Sequence, residues 1–214
     1  MGFGVALFGY GFLLLNEVGG ALFGVLLLAY GFFLASRLEA GFLKASVSSL
    51  FMLPRGILLF LDILGIVDID TLPTVNVITF ILYLSAWALM SYFWLSSVAK
   101  IARECKAEKL EGQARKRLVF TVFAISIALF AGIANLLGVL GELAFMVSSA
   151  QYILQYAVII VNIIFLHTCF VLITSEAQYQ QDKQQLAAER AKAIEKRYNE
   201  KQEVERKIEK RKKK

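Results

Sequence analysis

The basic residues of this chain are confined almost entirely to two blocks, with long apolar runs between them. Seven of the 23 Lys and Arg residues lie in Lys100–Arg117 and thirteen in Glu176–Lys214, leaving only Arg37, Lys44 and Arg55 elsewhere. The 214 residues are 58% hydrophobic and 19% charged, whereas soluble domains average about 45–50% apolar and about 25% charged residues. A soluble core in so short a chain cannot hide that much hydrocarbon. Lipid is the solvent that fits, and in lipid every backbone polar group must be satisfied internally, which favours helices. The expected fold is all-α: a polytopic transmembrane helix bundle over residues 1–174, followed by a charged cytoplasmic helical extension over 175–214.

A crossing takes about 20 apolar residues. Six candidate spans are Gly2–Leu15, Val18–Ser36, Ser46–Val67, Val75–Ala99, Leu118–Leu140 and Phe145–Thr174, which pair into three hairpins. The first would rise only about 21 Å, so it must tilt little, thin the bilayer, or dip in without crossing. The third is interrupted by Pro54-Arg55-Gly56. Here Phe42–Leu53 reads as an interfacial approach and Arg55–Val67 as the crossing. Met1–Leu15 lacks a charged region like that of a cleaved signal, so it is expected to remain as a span.

Loop charge sets the expected orientation. Lys100–Arg117 and Glu176–Lys214 are strongly basic, whereas Asn16–Gly20, Asp68–Thr74 and Gly141–Glu142 carry Glu17, Asp68, Asp70 and Glu142 and no Lys or Arg. The basic segments therefore face the cytoplasm. Six spans put both termini there, in a cell membrane. A re-entrant first segment would give five spans and move the N-terminus outside. Cys105 and Cys169 then both lie towards a reducing compartment, which argues against a disulfide framework.

Gly4–Leu15 and Gly24–Ala35 match at seven of twelve positions. Running in opposite directions they would form an inverted repeat of the kind transporters use. Two glycine- and leucine-rich spans also match readily by chance, and the repeat is far shorter than half the domain.

Charge in hydrocarbon is costly and marks candidate sites. Asp62 is the one acid well inside a predicted span, and Arg55 lies seven residues earlier on nearly the same helical face. Together they read as an ion site with a counter-charge. Separately, they read as an arginine reaching the cytoplasmic headgroups and an aspartate held by another helix. In the last span Gln151, Gln155, Asn162 and Cys169 fall within about 40° on a wheel, a stripe that should face the bundle interior. It fits either a solute path or interhelical hydrogen bonding, with Asn135, Asn76, Thr79 and Tyr83 as partners. Ala124, Ala128 and Gly132, and Gly20-x-x-x-Gly24, read as packing ridges. His167 stands alone, and no nucleophile set, zinc motif or phosphate loop is present. No cofactor, metal or catalytic residue is therefore expected.

Glu176–Lys214 contains neither Gly nor Pro and carries i,i+4 pairs such as Glu203–Lys207 and Glu209–Lys213, so a long solvated helix is expected. Its mixed charge argues against a dedicated nucleic-acid site, and no a/d heptad persists. Two functions remain. The first is a non-enzymatic membrane subunit or scaffold that engages a cytoplasmic protein or anionic lipid through Lys100–Arg117 and Glu176–Lys214, itself a candidate homo-oligomer. The second is a small-solute or ion transporter or channel built on Asp62, Arg55 and the polar stripe. The long tail and the packing ridges favour the first.

Overall fold

The computed structural model describes residues 2–136, 139, 141–143 and 145–173, excepting the side chains of Glu17, Asn135 and Leu136. All regular structure among them is helical. In order the helices are α1 (Gly2–Leu13), α2 (Gly20–Ala35), α3 (Gly41–Leu50), α4 (Leu53–Ile63), α5 (Pro73–Glu104) and α6 (Glu108–Leu136), followed by α7 over 145–173. Short 3-10 turns occupy Asn16–Val18, Ile69–Thr71 and Gly141–Leu143. Met1–Phe170 forms one compact unit. Val171–Lys214 forms a second, described only at 171–173, where the chain is helical. The expected charged helix over 175–214 lies outside the described residues.

Chain direction reverses between successive helices, except that α3 and α4 run on as one segment, Gly41–Ile63. Gly2 packs beside Ala35 and Gly9 beside Gly24, so α1 and α2 are antiparallel. Arg117, early in α6, donates to the Val161 carbonyl of α7, while Gly132 and Gln151 line one cavity, which makes α6 and α7 antiparallel as well. The connections gather at two ends. An acidic end holds 16–19 and 64–72, with Gly19 against Phe60 and Ile63. A basic end holds 36–40 and 105–107, joined by a Lys100–Glu39 ion pair of 2.9 Å.

Four helical segments are long and apolar enough to cross a membrane: Gly41–Ile63, Pro73–Glu104, Glu108–Ala134 and Gly141–Ile173. The apolar helices α1 and α2 have only 12 and 16 residues, about 18 and 24 Å of rise. The outer surface is apolar: Phe8, Tyr30, Ile78, Val119, Phe130 and Ile153 are all exposed. A continuous apolar exterior of this kind is what a lipid-facing bundle presents.

The α1–α2 hairpin is built on backbone contact. A methyl group added at Gly31 would stand 2.5 Å from the Ala6 nitrogen, and one added at Gly9 would stand 2.8 Å from the Leu28 nitrogen. Only small residues permit helices this close. Gly19, at φ +80°, turns the chain in the left-handed region that glycine enters without steric cost. The Gly4–Leu15 and Gly24–Ala35 segments are not equivalent in space. Tyr10 is buried and its counterpart Tyr30 exposed, while Gly31 is crowded and its counterpart Gly11 meets nothing within 4 Å.

The segment before Pro54 corrects one expectation. Phe42, Ala45 and Ser49 are buried, and the Ser46 hydroxyl donates to the Ala29 carbonyl of α2 at 2.7 Å. This half is therefore part of the bundle and not an interfacial approach. Pro54 lacks an N–H, and it stands in the first turn of a new helix, after a tight turn in which Phe51 and Met52 donate to Ser48 and Ser49. Gly41–Ile63 thus forms one broken span.

The Lys100–Arg117 loop is also corrected. Only Cys105–Ala107 lies outside helix, with Lys106 at φ 57°. The flanking residues stay helical because Glu111 accepts from Arg103 at 3.0 Å and from Arg115 at 2.8 Å, bracing the turn. Lys106, Lys109 and Lys116 remain exposed.

Glu39 pins the basic end. It accepts from the Gly41 N–H, from the Ser97 hydroxyl at 2.8 Å and from Lys100 at 2.9 Å. The Lys100 bond, assisted by those of Ser97 and Gly41, holds its carboxyl below the usual carboxylate range. A depressed pKa adds stability above the unfolded-state value, and that stability is lost as pH falls through the folded value. Glu39→Gln is expected to lower thermal stability in detergent at pH 7 by about 1 kcal/mol. The difference from wild type should shrink at a pH below the ordinary carboxylate range, where the depressed Glu39 carboxyl becomes protonated. Melting curves at the two pH values check this.

Candidate functional site

The centre of the bundle is more polar than its exterior. Trp87, Ser91 and Trp94 lie at i, i+4 and i+7 of α5 and so share one face. Tyr10 of α1 and Asn162 of α7 close on that face. The Tyr10 hydroxyl lies amid the polar groups of Ser91, Trp94, Trp87 and Asn162. All five residues are no more than 1% exposed. The Tyr10 hydroxyl, both indole nitrogens, the Ser91 hydroxyl and both amide atoms of Asn162 are buried and interact about Tyr10 without a short, well-aligned bond among the described residues. Unpaired buried polar atoms are expensive, which is why such side chains gather about one another inside an apolar bundle.

Two cavities continue this cluster towards the acidic end. The nearer holds about 10 Å³ and is lined by Asn16, Tyr83, Trp87, Tyr152 and Gln155, among others. The Asn16 side-chain oxygen is also buried without a partner. The outer cavity holds about 160 Å³ and is lined by Asn76, Phe80, Gly132, Ser148, Gln151 and Tyr152. Tyr152 borders both cavities, and Trp87 links the inner one to the cluster. Arg55 reaches the wall of the outer cavity. It donates to the Asn76 side-chain and backbone oxygens and lies 5.9 Å from the centre of the Phe80 ring.

Towards the basic end the cluster meets an aromatic layer. Trp94 stacks on Phe32 at 5.9 Å and tilts against Phe165 at 5.9 Å, and Phe32 stacks on Phe42 at 6.3 Å. Arg117 also lies over Phe165, its guanidinium 4.8 Å from the ring centre. Arg117 donates to the Val161 carbonyl. An arginine therefore stands at each end of a buried polar line, and neither makes an ion pair among the described residues.

The sequence candidates separate accordingly. Gln151, Gln155 and Asn162 all lie along the line, one in each compartment. Arg55 lies beside Asn76 at its outer end, far from the basic end it was expected to reach, because α3 continues for ten residues on that side. Asp62 lies one residue before the end of the Gly41–Ile63 segment, nearer its acidic end than the expected crossing to Val67 implied. It sits in the last turn of α4 and accepts from the Ile69 N–H at 3.0 Å, bracing the turn made by Gly65 at φ 67°. Arg55 and Asp62 thus bond to different groups and do not form one site. The side chain of Asn135 lies outside the described residues. Thr79 donates within its own helix, to Val75 at 2.8 Å, and His167 is exposed. Sequence reasoning missed Tyr10, Trp87, Ser91, Trp94 and Arg117. The available signal was the i, i+4, i+7 spacing of hydrogen-bonding side chains on α5.

Comparison with protein-family models, curated proteins and solved structures finds no match for this chain.

Proposed function

We propose that the chain is a six-pass membrane protein that moves a small polar solute along the line from Arg55 to Arg117, with α1 and α2 crossing as a close hairpin and the basic end in the cytoplasm. The carrying observation is the pair of polar-lined cavities, bordered by Asn76, Gln151, Tyr152, Gln155 and Asn16, that leads inward to the buried polar side chains at Tyr10, Trp87, Ser91, Trp94 and Asn162. Interhelical bonding alone needs no cavity beside such groups. The aromatic layer between the cluster and Arg117 closes the line at the basic end in this conformation, so transport requires Trp94 or Phe165 to move.

Proteoliposomes loaded with candidate ions and metabolites test this. Flux of at least one is expected, and Asn162→Leu is expected to lower it about tenfold or more, since about 1–3 kcal/mol accompanies a lost buried polar partner. Absence of flux across a broad panel rejects the proposal.

A second reading retains the scaffold role. Lys106, Lys109 and Lys116 are exposed and make no ion pair among the described residues, which suits contact with anionic headgroups or an acidic protein surface. Charge reversal at these three positions should weaken sedimentation of a detergent-solubilised sample with anionic vesicles. Unchanged co-sedimentation removes that role.

A further inference from the structure

We infer that the outer cavity is a binding site for a short-chain monocarboxylate, a carboxylate ion carrying an apolar body of a few carbons. The inference rests on the transport reading and names its substrate class. The cavity of about 160 Å³ has a wall of two chemically different parts. Val77 and Phe80 of α5 form an apolar side. Gly132 of α6 leaves room for the Phe80 ring, which a methyl group at that position would overlap. Asn76, Ser148, Gln151 and Tyr152 form a polar side. The side chains of Ser148 and Gln151 are half-buried and hold no hydrogen bond to another described residue, so each can turn a donor towards a ligand. Asn76 is oriented by Arg55. A guanidinium only donates, so it takes the Asn76 side-chain oxygen and turns the amide NH₂ group away from itself. Hydroxyl and amide donors beside an apolar wall match a ligand with one anionic and one hydrocarbon end.

The sign of the ligand's charge follows from Arg55. Its guanidinium touches two residues of the cavity wall, bonding to the Asn76 oxygens and lying 5.9 Å from the centre of the Phe80 ring, and it acts electrostatically on a third, Tyr152. Arg55 makes no ion pair among the described residues. Asp62 is within its field, but that carboxylate accepts from the Ile69 N–H and lines neither described cavity. Positive charge beside a low-dielectric wall favours an anion and repels a cation. A metal cation would also need carboxylates or converging carbonyl oxygens, and no carboxylate lines the cavity. One guanidinium matches one negative charge, whereas a phosphate ester carries nearly two. A void of about 150 Å³ accepts benzene, so a carboxylate of about six non-hydrogen atoms fits the space. A bare halide would leave the apolar side unused.

Purified protein in detergent is equilibrated with radiolabelled butyrate at constant ionic strength, and unlabelled compounds compete for the site. Saturable binding is expected. Acetate should bind about tenfold more weakly than butyrate, because each buried CH₂ is worth about fourfold at most. Butyramide, which has the same shape without the charge, should also compete about tenfold less well. That comparison uses the unaltered protein, so it does not depend on a variant folding. Gln151→Leu should lower butyrate affinity about tenfold, the size of one lost hydrogen bond to a charged partner. Arg55→Met should lower butyrate affinity by a similar factor and leave that for butyramide unchanged, while Arg55→Lys, which keeps the charge, should lose less. Binding that does not saturate overturns the inference. So does equal competition by butyramide, or butyrate affinity indifferent to both Gln151→Leu and Arg55→Met. Proteoliposome flux separates this inference from the one beneath it. Flux of another solute without saturable butyrate binding leaves the transport reading standing and rejects the carboxylate. Saturable, variant-sensitive butyrate binding with no flux of any solute keeps the site and rejects transport.

Discussion

Gly31→Leu is expected to prevent the α1–α2 hairpin from forming. Even a methyl group there would stand 2.5 Å from the Ala6 nitrogen and 2.9 Å from the Gly2 oxygen. Both are backbone atoms that cannot rotate away. Overpacking in a rigid seam costs about 3 kcal/mol or more, and here the displaced helix also carries Tyr10 into the polar cluster. The variant should therefore aggregate on extraction or elute broadly in size-exclusion chromatography. Gly11→Leu, on the same helix but with nothing within 4 Å, should behave like wild type. Similar elution profiles for the two variants would show that the seam does not hold the bundle together.

Arg55→Met should lower flux about tenfold to a hundredfold while leaving the protein folded. Hydrogen bonds to a charged group are worth about 1.5–3 kcal/mol, and methionine retains much of the apolar stem that lies near Phe80. The loss is a loss of charge at the mouth of the outer cavity, so it should shrink at high ionic strength, where wild-type flux also loses its electrostatic advantage. Asp62→Asn should leave flux unchanged, because Asp62 accepts from Ile69 at the end of α4 and lines neither cavity. A strong effect of Asp62→Asn with none from Arg55→Met would reverse these roles.

The contrast between these two residues shows what the sequence could reveal. Apolar segments and loop charge locate the helical hairpins, because lipid restricts backbone structure severely. The inward stripe of Gln151, Gln155 and Asn162 was legible because unsatisfied amides avoid lipid and a helix repeats every 3.6 residues. The depth of Asp62 was not legible. Apolar residues continue to Val67, and only the left-handed turn at Gly65 ends α4 early. Nor could periodicity show that Arg55 reaches Asn76 on another helix, or that Tyr10 on a short glycine-rich helix meets both tryptophans. Those contacts depend on how closely α1 approaches its neighbours, which is a property of the packed bundle. The charged extension over 175–214 still rests on its sequence alone.

The claim that the buried polar line is a solute route is tested most directly by thiol accessibility. Cys105 and Cys169 are replaced by serine and alanine, and single cysteines are placed at Gln155, Asn162 and Ile160 in separate proteins reconstituted in liposomes. Ile160 lies on α7 near these positions but faces the apolar exterior, 48% exposed. A membrane-impermeant thiol reagent is expected to modify positions 155 and 162 and to leave 160 unmodified. Modification at 160 comparable to that at 162, or no reaction at 162 in folded protein, would contradict the route.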